Sequence, residues 1–165
     1  MIPAFVGLGS NQGAREAHLA RALGELARMP ESTLSGMSSL YETDPVGDPR
    51  FPCYLNAVAR LETALEPEAL WSELRRVERE GGRPETGRAG ARTIDLDLLY
   101  YGDHVLRRTG LEIPHPWIAD RLFVLVPMVE LAPGWVDPVL RVPLAEILRH
   151  RRHLTSVRWA GRPRG

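Results

Sequence analysis

Along this chain two apolar periodicities alternate in an order that few sheets can accommodate. Ile2 to Leu8 is a short apolar run ending at Gly9-Ser10-Asn11, the pattern of a buried strand entering a turn. From Arg15 to Met29, Leu19, Leu23 and Leu26 recur at helical spacing until Pro30 stops them. Leu34 to Thr43 carries Met37, Leu40 and Tyr41 among small polar residues and reads as a strand. Tyr54 to Thr63 sets Leu55, Ala57, Ala59 and Leu61 on one side, again a strand. Pro67 to Glu80 is an amphipathic helix with Leu70, Leu74 and Val77 on one face, closed by Gly81-Gly82. Thr93 to Tyr101 is the clearest strand of all. Strand, helix, strand, strand, helix, strand is the order of a split βαβ arrangement. It predicts an α+β protein with a ferredoxin-like βαββαβ core, a mainly antiparallel sheet with helices packed on it.

The 165 residues suit one domain, 1–165, without repeats or a clear linker. Two stretches resist regular structure. Asp44 to Pro52 contains Pro45, Gly47 and Pro49, and residues 82–91 hold Gly82, Pro84, Gly87 and Gly90; both are expected to be irregular loops. Arg121 to Leu131 has a helical pattern that Pro127 is expected to kink or divide. From Arg141 onward seven Arg stand against one acid, Glu146. This basic extension, 141–165, is expected to form a short helix and a frayed end that serves packing only.

All 21 basic residues are Arg and none is Lys, which removes the P-loop lysine, the protein-kinase phosphate-pairing lysine and the Schiff-base lysine. The 21 acids balance them to zero net charge, against a generic binder of nucleic acid or anionic membrane. Cys53 is the only cysteine, so neither an internal disulfide nor a Cys metal cluster is possible. The first residues lack the basic and long apolar parts of a signal peptide, and the longest apolar run, Leu122 to Val129, is too short to span a membrane. A cytoplasmic protein, monomeric by default, is expected.

Chemistry concentrates in Thr93-Ile94-Asp95-Leu96-Asp97-Leu98-Leu99. On a strand, Ile94, Leu96 and Leu98 enter the core while Asp95 and Asp97 project together from the other face. Neighbouring carboxylates repel unless a cation lies between them, and hard oxygen ligands of this kind suit Mg²⁺. Two unremarkable acids on a solvent face are the competing explanation. The Arg-rich loop before them, with Arg83, Arg88 and Arg92, could grip phosphate bidentately. Arg76 and Arg79, on the preceding helix with Arg75, read better as surface partners of nearby Glu. His115, fixed between Pro114 and Pro116, suits a phosphate contact or acid–base role as well as a structural one. Gly7-Leu8-Gly9-Ser10-Asn11-Gln12-Gly13 lacks the spacing and lysine of a phosphate loop and reads as a tight strand-to-helix turn. Tyr54, Asn56 and Phe123 could line a pocket for a planar ligand, but also fit ordinary core and edge positions.

Taken together, these segments resemble the 6-hydroxymethyl-7,8-dihydropterin pyrophosphokinases of folate biosynthesis. The likeness runs from Val6–Asn11 through Tyr41–Gly47, Tyr54–Ala57, Glu78, Gly82-Arg83 and the Arg88–Leu99 block to Ile113–Pro116 and Arg121–Phe123. It implies Mg²⁺-dependent transfer of the pyrophosphoryl group of ATP to the pterin hydroxymethyl oxygen, with release of AMP. By the same resemblance, Asp95 and Asp97 hold two Mg²⁺ ions. Arg83, Arg88, Arg92, His115 and Arg121 contact ATP, as do Leu98 and Glu78, with Arg88, Arg92 and His115 also serving catalysis. Tyr54 and Phe123 sandwich the pterin, Asn56 bonds its polar edge, and Thr43, Asp44 and Val46 complete its recognition. The loop departs from some members: Pro84-Glu85-Thr86-Gly87 lacks a second Arg, and Ala89 and Ala91 replace Trp and Pro. A non-catalytic nucleotide-binding domain of the same fold and a DxD sugar-nucleotide transferase are the competing classes. The first has no use for paired metal acids beside an aromatic–amide pocket, and the second has little room here for a separate sugar site.

Overall fold

A computed structural model of the chain describes residues 1–45, 50–82, 93–151 and 157–163. Val46, Arg83, Arg88 and Arg92 lie outside the described residues. Strands β1 (Ile2–Ser10), β2 (Ser32–Met37), β3 (Leu40–Thr43), β4 (Tyr54–Thr63) and β5 (Asp95–Tyr101) alternate with helices α1 (Arg15–Ala27) and α2 (Pro67–Glu80). The sheet runs β5, β1, β4, with β2 and β3 sharing the far side of β4, and every pairing is antiparallel. Each helix therefore joins two strands that have one strand between them, the spatial order that a split βαβ chain requires.

The stretch from Leu34 to Thr43 is two strands rather than one. Ser38 stays attached to β4: its N–H donates to the Val58 carbonyl and its Oγ accepts the Val58 N–H, both at 2.9 Å. Ser39 turns away. Its N–H points to both Glu130 carboxylate oxygens, at 3.1 and 3.0 Å, and its hydroxyl donates to Oε1 at 2.8 Å. The Tyr41 phenol adds a donation to Oε2 at 2.9 Å. One distant carboxylate thus takes the donor that would have continued the ladder.

Helices α1 and α2 cover one face of the sheet, where Leu19, Leu26, Leu61, Leu70, Leu74 and Leu96 form the larger core. Gly81 ends α2 because a Cβ there would stand 2.6 Å from Ile94 Cγ2. The opposite face is not left to solvent. Helices α3 (Leu122–Leu131) and α4 (Leu144–Arg151) bury Phe5, Val58, Leu99 and Tyr100, and Trp135 meets Phe5 edge-on at 4.7 Å between centroids. The register between β1 and β5 slips at Phe5/Val6, so that Leu99 is an extra residue and Leu99 and Tyr100 both reach this second core.

Three expectations are corrected. Pro127 neither divides nor ends α3, which is one helix of 10 residues; burial of Leu122, Val124, Leu125 and Met128 around it outweighs one missing backbone bond. The basic extension is not frayed throughout, because β8 (Val157–Gly161) pairs along β3 and completes the sheet edge. A hairpin of β6 (Leu106–Arg108) and β7 (Leu111–Ile113) precedes His115 where no strand was expected.

Glu130→Gln keeps size but replaces the charge and one of the two acceptor oxygens with an N–H₂ donor, so Ser39 N–H, Ser39 Oγ–H and Tyr41 O–H can no longer all be met. It is expected to destabilise the fold by about 1–3 kcal/mol, the range for a lost charged acceptor with partners left behind. Urea denaturation with an unchanged midpoint would show that this carboxylate does not tie α3 to the sheet.

Candidate active site

Gly7 and Gly9 belong to β1 itself and not to the turn that follows it. Gly9 lies across from Asp95 on one side and Asn56 on the other, and Gly7 across from Asp97 and Val58. Cross-strand partners share a face, so the two glycines leave a bare strip of sheet beside both acids. A Cβ on Gly9 would press within 3.2 Å of Asn56 Oδ1. The resulting cavity, of ≈ 780 Å³, is walled by Asp95, Asp97, Asn56, Thr43, Tyr54 and Phe123, with Asp44, His115 and Arg121 also on its lining. Asn56 is buried and its Nδ2 donates to Thr43 Oγ1 at 2.9 Å, which fixes the amide. Phe123 enters from the first turn of α3, with the Arg121 guanidinium 5.6 Å from its ring centre.

A second cavity of ≈ 320 Å³ adjoins the first and shares Asp97 and His115 with it; Trp71, Arg75, Leu98, Arg108 and Glu112 complete its walls. Asp97 and His115 are therefore the partition between two compartments. Burial, then the charge of Asp95, raises the Asp97 carboxyl above its ordinary value, while His115, Arg75 and Arg121 pull it back. Burial lowers the His115 imidazolium and Arg121 lowers it further, against Asp97, Asp95 and Glu112. The neutral ring accepts from the Trp117 N–H at Nδ1, 3.3 Å away, so its own proton sits on Nε2. Nε2 lies 4.0 Å from Asp97 Oδ2, turned to the partition as a donor.

Beneath the partition, Arg75 Nη1 pairs with Glu78 Oε2 at 2.6 Å, and Nη2 contacts the Leu96 carbonyl and lies 3.9 Å from Asp97 Oδ1. Glu78 is buried and its Oε1 accepts the Leu96 N–H at 2.7 Å. It lines neither cavity and acts on the site from below, through Arg75 and β5. Leu98 points the other way from the acids, into the larger core, and touches the second cavity from there. Arg76 pairs with Glu73 and Glu80 at 3.0 and 2.8 Å, the surface role expected of it.

The structure lines the cavities with residues that sequence reasoning did not place in the site, among them Arg75, Trp71, Arg108, Glu112, Trp117 and Val157. For Arg75 and Trp71 a signal existed. They stand four apart on α2, with Arg75 three before Glu78, a face distinct from that of Arg76. Nothing local marks Trp117 or Val157. As for metal, no group of three or more His, Cys, Asp or Glu is gathered among the described residues. Two carboxylates with open space beside them fit a cation that takes its remaining ligands from water and phosphate, the habit of Mg²⁺.

Residues 5–133 match the family described as 7,8-dihydro-6-hydroxymethylpterin-pyrophosphokinase. A Haemophilus influenzae protein named 2-amino-4-hydroxy-6-hydroxymethyldihydropteridine pyrophosphokinase is 41% identical over 138 residues, 84% of this chain and 86% of that protein. The Aquifex aeolicus protein of the same name is 36% identical over 146 residues, 88% of this chain and 90% of that one. Among solved structures, wild-type Plasmodium falciparum HPPK-DHPS with SDX-DHP is similar with a TM-score of 0.72 at 12% identity, over 90% of this chain. This chain spans 44% of that longer chain, and the likeness concerns the fold.

The Asp95–Asp97 pair makes a prediction about stability without metal. The native state holds the Asp97 proton more tightly than the unfolded chain does, so this pair's contribution to stability falls as pH rises through the raised pKa. Metal-free Asp97→Asn protein is therefore expected to melt above the wild type near neutral pH. The difference should vanish as pH drops below about 4, where the carboxyl is protonated in both states. A melting difference that does not change with pH would mean that burial and the neighbouring Asp95 do not hold the Asp97 proton in the folded state.

Proposed function

Because the chain belongs to the 7,8-dihydro-6-hydroxymethylpterin-pyrophosphokinase family, we propose that its two abutting cavities hold that reaction's two substrates, with Asp95 and Asp97 at their junction. The reaction is transfer of pyrophosphate from ATP to the hydroxymethyl group of the dihydropterin, in folate biosynthesis. The observation that carries the assignment is the sharing of Asp97 and His115 by both compartments. Group transfer from one bound molecule to another needs the reacting atoms to meet where both sites are open.

In this reading the pterin lies on the bare strip over Gly7 and Gly9. Phe123 and Tyr54 present aromatic surface to its rings, and Asn56, steadied by Thr43, bonds the polar edge; Asp44 and Val46 belong to the same rim. The nucleotide occupies the smaller cavity, with its base near Trp71 and Leu98. Its phosphates are directed at the partition, where His115 Nε2–H and Arg121 donate to phosphate oxygens. Arg83, Arg88 and Arg92 add to this grip. Glu78 holds Arg75, and through it the ground beneath the phosphates. Two Mg²⁺ on Asp95 and Asp97 would neutralise the triphosphate and bring the hydroxymethyl oxygen toward it. The protein's own part is placement, charge neutralisation and exclusion of water, since phosphoryl-type transfer asks little covalent chemistry of it.

Incubation with ATP, Mg²⁺ and the hydroxymethyl pterin is expected to yield AMP and the pterin diphosphate; ADP as product would refute the assignment. Asp97→Ala is expected to fold and to lose most turnover, even at saturating Mg²⁺. Near-normal rates in that variant would remove Asp97 from the site.

Phe123→Ala and Asn56→Ala are each expected to weaken pterin binding by roughly 1–3 kcal/mol, as loss of a desolvated aromatic face or amide does. ATP affinity should change little. Calorimetry giving equal losses for both ligands would show that the larger cavity is not the pterin site.

A further inference from the structure

The larger cavity borrows part of its wall from the C-terminal strand, since Val157 of β8 lines it. The next residue, Arg158, does not line the cavity but reaches to its rim. Its Nη2 donates to Asp44 Oδ1 at 3.0 Å and its Nη1 to Asp44 Oδ2 at 3.4 Å, so one guanidinium fork takes both carboxylate oxygens. Nη2 also lies 3.4 Å from Glu42 Oε1. The other Glu42 oxygen accepts from Arg15 Nη2 at 2.8 Å, and that bond foremost holds the Glu42 carboxyl below its usual range. Arg15 Nη1 donates to the Cys53 carbonyl at 2.6 Å, and Cys53 Sγ lies 3.6 Å from Asp44 Oδ1. The network therefore joins Asp44, where the chain leaves β3, to Cys53, where it enters β4. At and beside these ends stand Thr43, Asp44, Pro45 and Tyr54 of the cavity lining.

We propose that β8 is a working part of the pterin site and that Arg158 is a positioning residue for it. Arg158 holds Asp44, and with it the Thr43–Pro45 rim, in the conformation that receives the ring. This rests on the reading that the larger cavity takes the pterin. Asp44 and Pro45 lie past the last ladder pairs at Thr43, so ties of this kind are what hold them. A rim ordered before binding lowers the cost of binding without touching the transferring group. The effect belongs to pterin affinity and not to ATP affinity or to the chemical step. Arg158 and Asp44 are half exposed, so added salt weakens the tie.

The test is steady-state kinetics of the full chain with Arg158→Met, Arg158→Lys, Asp44→Asn and the Met/Asn double variant. Arg158→Met is expected to raise the pterin KM roughly three- to fivefold, the upper range for an exposed ion pair. It should leave kcat and the ATP KM in place, and Arg158→Lys should recover part of the loss. Added salt should raise the pterin KM of the wild type more than that of Arg158→Met. In the Asp44→Asn background, Arg158→Met should add little, because the partner is already gone. The inference fails if pterin and ATP KM rise together, if the Asp44 and Arg158 effects multiply independently, or if Arg158→Met matches the wild type. Should Arg158→Met disturb β8 itself, Arg158→Lys and the salt dependence of the wild type decide. Phe123→Ala separates the two levels. If it leaves the pterin KM unchanged, the cavity assignment is wrong; if it raises KM while the Arg158 variants do not, only the role of Arg158 is wrong.

Discussion

Two like charges held two residues apart on one rigid strand set the terms for the rest of this molecule. Asp95 and Asp97 share a face of β5, and their repulsion adds to the burial that raises Asp97. A fold tolerates such a pair only where something else meets the charge. Among the described residues, Arg75, His115 and Arg121 do so from three separate stretches of the chain. The 3.9 and 4.0 Å separations leave the oxygens available to a divalent cation. The glycines opposite are the steric half of the arrangement. Gly7 and Gly9 keep the neighbouring strand low, so a flat ligand can lie on the sheet within reach of the acids.

The same face of the sheet has to be polar at one end and apolar at the other, and the slip between β1 and β5 is how the chain changes over. Before it, alternation sends Asp95 and Asp97 outward and Leu96 and Leu98 into the larger core. After it, Leu99 and Tyr100 both join Phe5 and Val58 beneath α3 and α4. The second core closes the back of the cavity and seats α3, which brings Phe123 of its first turn, and Arg121 just before it, to the site. The paired acids and the packed core thus lie on one strand, a few residues apart.

The alternating patterns that mark β1, β4, β5 and the two amphipathic helices are local, so the sheet order followed from sequence alone, as did the side by side placement of Asp95 and Asp97. What escaped reading depends on distant partners. The break at Ser39 is made by Glu130, 91 residues away. Leu98-Leu99-Tyr100-Tyr101 is continuously apolar, so its periodicity cannot show which residue is extra. Strand β8 carries no alternating pattern, with Trp159 exposed at 67%, and forms because β3 offers it an open edge. Gly7-x-Gly9 was misplaced in a turn because glycine marks a turn and a bare strand equally well. Bringing Tyr54, Asn56 and Phe123 to one cavity is a tertiary fact that only the assembled sheet supplies.

Distance from the chemistry does not make Glu130 irrelevant to it. Helix α3 has Phe123 near its start and Glu130 near its end, seven residues and roughly 10 Å along the axis. The helix is continuous from one residue to the other, so where Glu130 is pinned helps set how Phe123 is presented to the cavity that Gly9 and Asn56 also line. Its anchorage is Ser39 and Tyr41, in and beside the break between β2 and β3. Two residues further on, Thr43 orients the Asn56 amide. The aromatic face and the hydrogen-bonding edge of the pocket are therefore set from one short stretch of chain, through α3 on one side and through β3 on the other. That common origin gives an otherwise costly interruption of the sheet a use, because it fixes the spacing between two walls of the cavity.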